Sequence, residues 1–105
     1  MRAEDFAVLF GLWRDGDAEA AGAYFCVDGV YQEVRGEPVA GRDAIVAVWR
    51  RFFERAPAWR MTVEEIFGGG DRFAVVYTWQ DRPGCAIVHV RDGKIALWRE
   101  YKAGL

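Results

Sequence analysis

Residues 92–102 read DGKIALWREYK, and this stretch decides the fold. It opens on Asp-Gly, a dipeptide that readily supplies the left-handed conformations of a two-residue hairpin turn. The run that follows is apolar and suited to a strand. Just upstream, residues 85–91 read CAIVHVR, a second strand-like run, so the pair predicts an antiparallel hairpin. With Asp92-Gly93 as the whole turn, Val88, Val90, Ile95 and Leu97 share one face. Cys85, Ile87, His89, Ala96, Trp98 and Glu100 share the other. Both faces are largely apolar, whereas a solvated antiparallel sheet is polar on one side. Helices cover only one face, so a homodimer through the other is expected; a strongly curved sheet closing on itself is the alternative.

Working outward, residues 60–67 (RMTVEEIF) and 72–81 (RFAVVYTWQD) flank a GGGD turn, and RPG at 82–84 reads as the next turn. Phe6, Leu9, Phe10 and Trp13 recur at helical spacing. Asp17 is placed to cap a second helix through AEAAGAYF. DGVYQEV is a short strand and GEPVAGR a loop. A third helix starts at Arg42 or Asp43 and ends near Ala56, before Pro57, with Ile45, Val48, Trp49, Phe52 and Phe53 as its apolar stripe. The order is helix, helix, strand, helix and a four-strand meander. This is a single α+β domain over residues 1–105, with three helices packed on a mostly antiparallel sheet.

The composition narrows the function. The chain is 52% hydrophobic and 15% aromatic, with rings to fill a core, line a pocket or supply an interface. A net charge of −2 argues against nucleic-acid binding. No run approaches a membrane span and no secretory leader is evident, so a cytoplasmic protein with no membrane partner is expected. Cys26 and Cys85 match no metal spacing and read as free thiols. One histidine with scattered acids supplies no metal site. The chain has no serine, and GGGD lacks the residues of a phosphate loop.

Three segments, DGVYQEVRGEPVAGRDAI, RMTVEEIFGGGDRFAVVYTWQD and VRDGKIALWREY, together resemble the SnoaL-like branch of the nuclear transport factor 2-like superfamily. The resemblance implies a cone in which a curved sheet wraps around helices and encloses a small apolar ligand, with no cofactor. Among characterised members the pattern is most similar to limonene epoxide hydrolase, which uses an Asp–Arg–Asp set. On that pattern Glu100 takes the place of the water-activating Asp, Tyr31 matches a water-holding Tyr, and Glu33 falls on an Asn. Asp81 falls on the acid and Trp79 on the Arg, so the arginine is missing. The steroid isomerase pattern puts its Tyr near Leu9 and its second acid near Ala86, neither of which does that chemistry.

Strand parity and resemblance together aim Tyr31, Glu33, Tyr77, Trp79, Asp81, Trp98 and Glu100 at the cavity. Carboxylates in an aromatic pocket can divide into acid and base, because burial and like charge shift their titrations apart. Glu100 is the candidate base, Asp81 or Glu33 its acid partner, and Tyr31 the residue that orients water or substrate. Trp79, Trp98 and Tyr77 form pocket walls, with Phe10, Trp13 and Phe53 as further lining. His89 shares Trp98's expected face and is a second candidate base. Asp81, before a turn, also reads as a hydrated rim residue. Two readings stand open: cofactor-free acid–base chemistry on a small apolar molecule, or a non-catalytic dimeric module for a ligand or partner.

Overall fold

The structure is a computed structural model that describes residues 1–55 and 60–102. The first helix, α1 (Ala3–Arg14), buries Phe6, Leu9, Phe10 and Trp13 along one stripe. Asp5 closes its first turn by accepting the Arg2 N–H at 2.7 Å. Asp17 caps α2 (Ala18–Gly22) by accepting from the Ala20 N–H. This helix is shorter than the AEAAGAYF run, because the Ile95 N–H takes the Tyr24 carbonyl and draws the chain into the sheet. Strand β1 (Phe25–Glu33) follows, then a two-residue β2 (Val39–Ala40) inside the expected loop, and α3 (Arg42–Arg55). The expected end of α3 at Ala56 and Pro57 lies outside the described residues.

The remaining strands are β3 (Met61–Gly69), β4 (Arg72–Trp79), β5 (Arg82–Arg91) and β6 (Lys94–Lys102). They form the expected meander, and the whole sheet runs β2-β1-β6-β5-β4-β3. β1 lies parallel to β6 while every other pair is antiparallel. Register irregularities occur between Val63 and Glu65 on β3 and between Ile95 and Leu97 on β6, where β6 pairs with Val90 and His89 of β5. Such bulges bend strands, and the sheet curves around the helices.

Two expectations are corrected. The β4–β5 turn is Gln80-Asp81, two residues upstream of RPG. Both residues are left-handed, at φ 51° and 64°, as a tight hairpin turn requires. Arg82, Pro83 and Gly84 therefore begin β5. The face assignment also changes. His89 pairs with Leu97 but Val90 pairs with Ile95, leaving Ala96 as an extra residue that switches parity. Trp98 and Glu100 consequently share the helix-facing side with Val88 and Ala86. His89 and Leu97 go to the outer side.

The helix-facing side is built in rungs. Tyr31, Trp98, Val88 and Phe73 lie across one, Glu33, Glu100, Ala86 and Val75 across the next, and Lys102, Gly84 and Tyr77 across the third. Edge-to-face rings tie helices to sheet, with centroids 5.0 Å apart for Phe6–Phe73 and 5.1 Å for Trp13–Trp98. Trp98, Phe10, Leu9 and Ala86 are completely buried. Cys26 and Cys85 are free thiols. Among the described residues, no helix is long and apolar enough to cross a membrane.

Candidate functional site

Two central positions on β5 are small, Gly84 and Ala86, and the space above them is not filled from the sheet. Tyr77 leans over Gly84, where an added Cβ would meet its ring at 2.9 Å. The cavity that remains is about 80 Å³ and partly enclosed. Holding one water takes roughly 10–15 Å³ of such space, so the cavity suits a small ligand of several heavy atoms. Trp13 and Trp49 wall it from the helices and Tyr31, Tyr77 and Trp79 from the sheet. Phe52, Phe53 and Met61 also line it. Phe52 stacks on Trp79 with centroids 6.2 Å apart.

Glu100 lies in this aromatic setting and is only 5% exposed. Its Oε1 accepts the Trp98 indole N–H at 2.9 Å. Its Oε2 has the Lys102 ammonium at 3.0 Å but accepts no well-aligned hydrogen bond. Lys102 also reaches Glu33 at 3.4 Å and sits 4.5 Å above the centre of the Trp79 ring. One ammonium thus bridges two carboxylates over an indole face. Burial first, and then the Glu100 charge, push the Tyr31 and Tyr77 hydroxyls well above the usual phenol range; Glu33 adds to both. Two further buried polar atoms of the lining, Trp13 Nε1 and the Tyr77 hydroxyl, have no well-aligned hydrogen-bond partner, although the hydroxyl is close enough to Glu100 to be raised by it.

Of the residues expected at the site, Glu100, Tyr31, Glu33, Tyr77, Trp79, Trp13 and Phe53 line the cavity. Trp98 lies beneath it as the donor that fixes Glu100. Phe10 packs behind the lining, against Trp13, Tyr77 and Trp98. Asp81 is not in the cavity: its side chain is 81% exposed at the turn and pairs with Arg60 at 3.0 Å. That leaves Glu33 as the second carboxylate. His89 is not there either, because it alternates with the buried Val88 and Val90 on β5, while the Ala96 bulge on β6 puts Trp98 and Glu100 on the inner face without it. Lys102 is the functional group the sequence reading missed. Its signal was the alternation itself, since it follows Glu100 by two positions on one strand face. Among the described residues, no group of three or more His, Cys, Asp or Glu is arranged to hold a metal ion.

Several solved structures share this architecture. A hypothetical protein with a ketosteroid isomerase-like fold from Catenulispora acidiphila, in complex with trimethylamine, superposes with a TM-score of 0.84 at 18% identity. That match covers 96% of this chain and 86% of the other. A SnoaL-like protein of unknown function from Burkholderia thailandensis gives 0.85 at 18% identity, covering 97% of this chain and 94% of the other. A Jannaschia protein provisionally assigned as a SnoaL-like polyketide cyclase gives 0.74 at 15% identity, over 93% and 84% of the two chains. None of the curated proteins matches the sequence. The model of the SnoaL-like domain matches residues 7–98, from the first buried stripe to the tryptophan beneath the cavity, and the chain belongs to that family.

Proposed function

We propose that the chain binds a small, mostly apolar molecule in this cavity and performs cofactor-free acid–base chemistry on it. Hydration, dehydration and isomerisation are the candidate reactions. The observation that carries this reading is Glu100, a nearly buried carboxylate in the wall of an aromatic cavity, with one oxygen fixed by Trp98 and the other beside the Lys102 ammonium. With the Lys102 ammonium swung aside, that second oxygen is suited to take a proton from a bound substrate or water. Tyr31 and Tyr77 keep their protons in this negative field and serve as hydroxyl donors that orient the Glu100 carboxylate. Lys102 and Glu33 complete a carboxylate–ammonium–carboxylate set. Its cation comes from β6, whereas the resemblance had placed an arginine at Trp79. A lysine supplies a point charge without an arginine's two-pronged hydrogen bonding, so the set orients carboxylates less rigidly. The small size of the trimethylamine bound by the Catenulispora protein accords with a cavity for a few heavy atoms.

A thermal-shift panel of small epoxides, enones and lactones tests this reading. A ligand at about 100 times its dissociation constant adds ~2.7 kcal/mol, a readable shift for a chain this size. Glu100→Gln is expected to bind the hit but not turn it over, while wild type consumes it. Equal turnover by both proteins would remove Glu100 from the chemistry.

A second reading, a dimeric binding module, is favoured by the outer sheet face. There Val76, Ile87, Leu97 and Tyr101 lie among other half-covered apolar residues, and Tyr101 is 41% exposed.

A further inference from the structure

We propose that the ligand of this cavity carries a small organic ammonium group, and that this group replaces the Lys102 ammonium over Trp79 and between Glu33 and Glu100. The inference rests on the same pocket reading and names the ligand's chemical class. Lys102 shows what the site is built to hold. Its nitrogen lies 4.5 Å above the Trp79 ring, 3.0 Å from Glu100 and 3.4 Å from Glu33. An indole face is the strongest aromatic partner for a cation, and the attraction grows where water is excluded.

Two carboxylates face one ammonium, so the formal balance of the three is negative with Lys102 in place. The rest of the cavity wall is aromatic, from Trp13, Trp49, Tyr31 and Tyr77. Such a wall is poor at holding an anion and good at holding an alkylated cation, whose methyl groups gain apolar contact as well. Lysine is also a replaceable occupant: its flexible four-carbon stem lets the head group swing into solvent.

The probe is tetramethylammonium chloride, titrated into the full chain at fixed ionic strength and followed by tryptophan emission and calorimetry. Tert-butanol, a neutral molecule of similar shape, is the control. Tetramethylammonium is expected to bind at least about tenfold more tightly than tert-butanol. Lys102→Met is expected to tighten cation binding severalfold, because it removes the internal competitor. Glu100→Gln is expected to weaken cation binding about tenfold and leave tert-butanol unaffected. The wild-type comparison needs no variant, so it decides even if one fails to fold. Equal or tighter binding of tert-butanol overturns the inference, as does loss of cation binding in Lys102→Met or no cation binding at all. If a neutral compound binds and is consumed while the cation is ignored, the ammonium class falls and the acid–base reading of the pocket stands.

Discussion

At the scale of single residues, the two phenols report the field of the site. Tyr31 and Tyr77 are raised by burial and by Glu100, so each holds its proton in the folded chain where an unfolded tyrosine, near pH 10, loses it. The folded state then binds more protons than the unfolded state above that pH. Stability contributed by the neutral phenols is complete below about pH 10 and falls as pH rises past it, by up to ~1.4 kcal/mol per pH unit for each phenol. Denaturant melts between pH 9 and 11.5, two bounds set on either side of about pH 10, are expected to show that decline. Ultraviolet titration should find two of the four tyrosines resisting ionisation in the native protein. Glu100→Gln removes the charge and is expected to bring both phenols down, though not to the ordinary value, since burial is the larger cause. Unchanged titration in that variant would place Glu100 farther from both hydroxyls than its role requires. Glu100 and Tyr31 were legible in the sequence because they stand in family motifs. Lys102 was not, because its contact with Trp79 crosses from β6 over β5 to β4, and strand order is not written in local spacing.

At the scale of elements, the cavity exists because β5 offers glycine and alanine where its neighbours carry large side chains. Across one rung Tyr77, Gly84 and Lys102 are partners, and the missing side chain at Gly84 lets the ring and the ammonium approach over it. A methyl group there would meet three atoms of the Tyr77 ring and hydroxyl at 2.9 to 3.1 Å. Gly84→Ala is therefore expected to push Tyr77 into the cavity. The expected cost is about 1–3 kcal/mol, as for other overpacked cores, with a melting point lower by several degrees. It should also abolish binding of any cavity ligand. A variant that melts like wild type and still binds would show that Tyr77 is not held against Gly84. The helices, the meander and the Asp92-Gly93 turn were readable because hydrophobic period and turn chemistry are local signals. The parity of β6 was not, because the bulge at Ala96 is set by pairing with β5. One extra residue parted Trp98 and Glu100 from His89 and put Trp98 opposite Val88.

At the scale of the molecule, a sheet with two apolar faces has, among the described residues, helices over one face alone. The corrected parity changes which residues lie outside but not their character. Val76 and Cys85 share an outer rung with Tyr101, Ala74 and Ile87 share the next with Arg99, and Leu97 lies beside His89. A second copy is the occupant we propose for this face, because the face is suited to pair with itself. Glu65 lies at the β3 side, opposite Val76, and Arg99 on β6. A twofold axis near Val76 and Ile87 would place each Arg99 toward the Glu65 of the other copy and bury the apolar residues between. A stable interface of standard size covers roughly 800 Å² on each partner. Sedimentation equilibrium is expected to give twice the mass of one chain, and Ile87→Lys to give a folded monomer. The cavity lies on the other side of the sheet, so that monomer should still bind a cavity ligand. A wild type that sediments as a single chain at micromolar concentration would leave the apolar outer face without a second copy to cover it. The binding-module reading would then have to rest on the cavity alone.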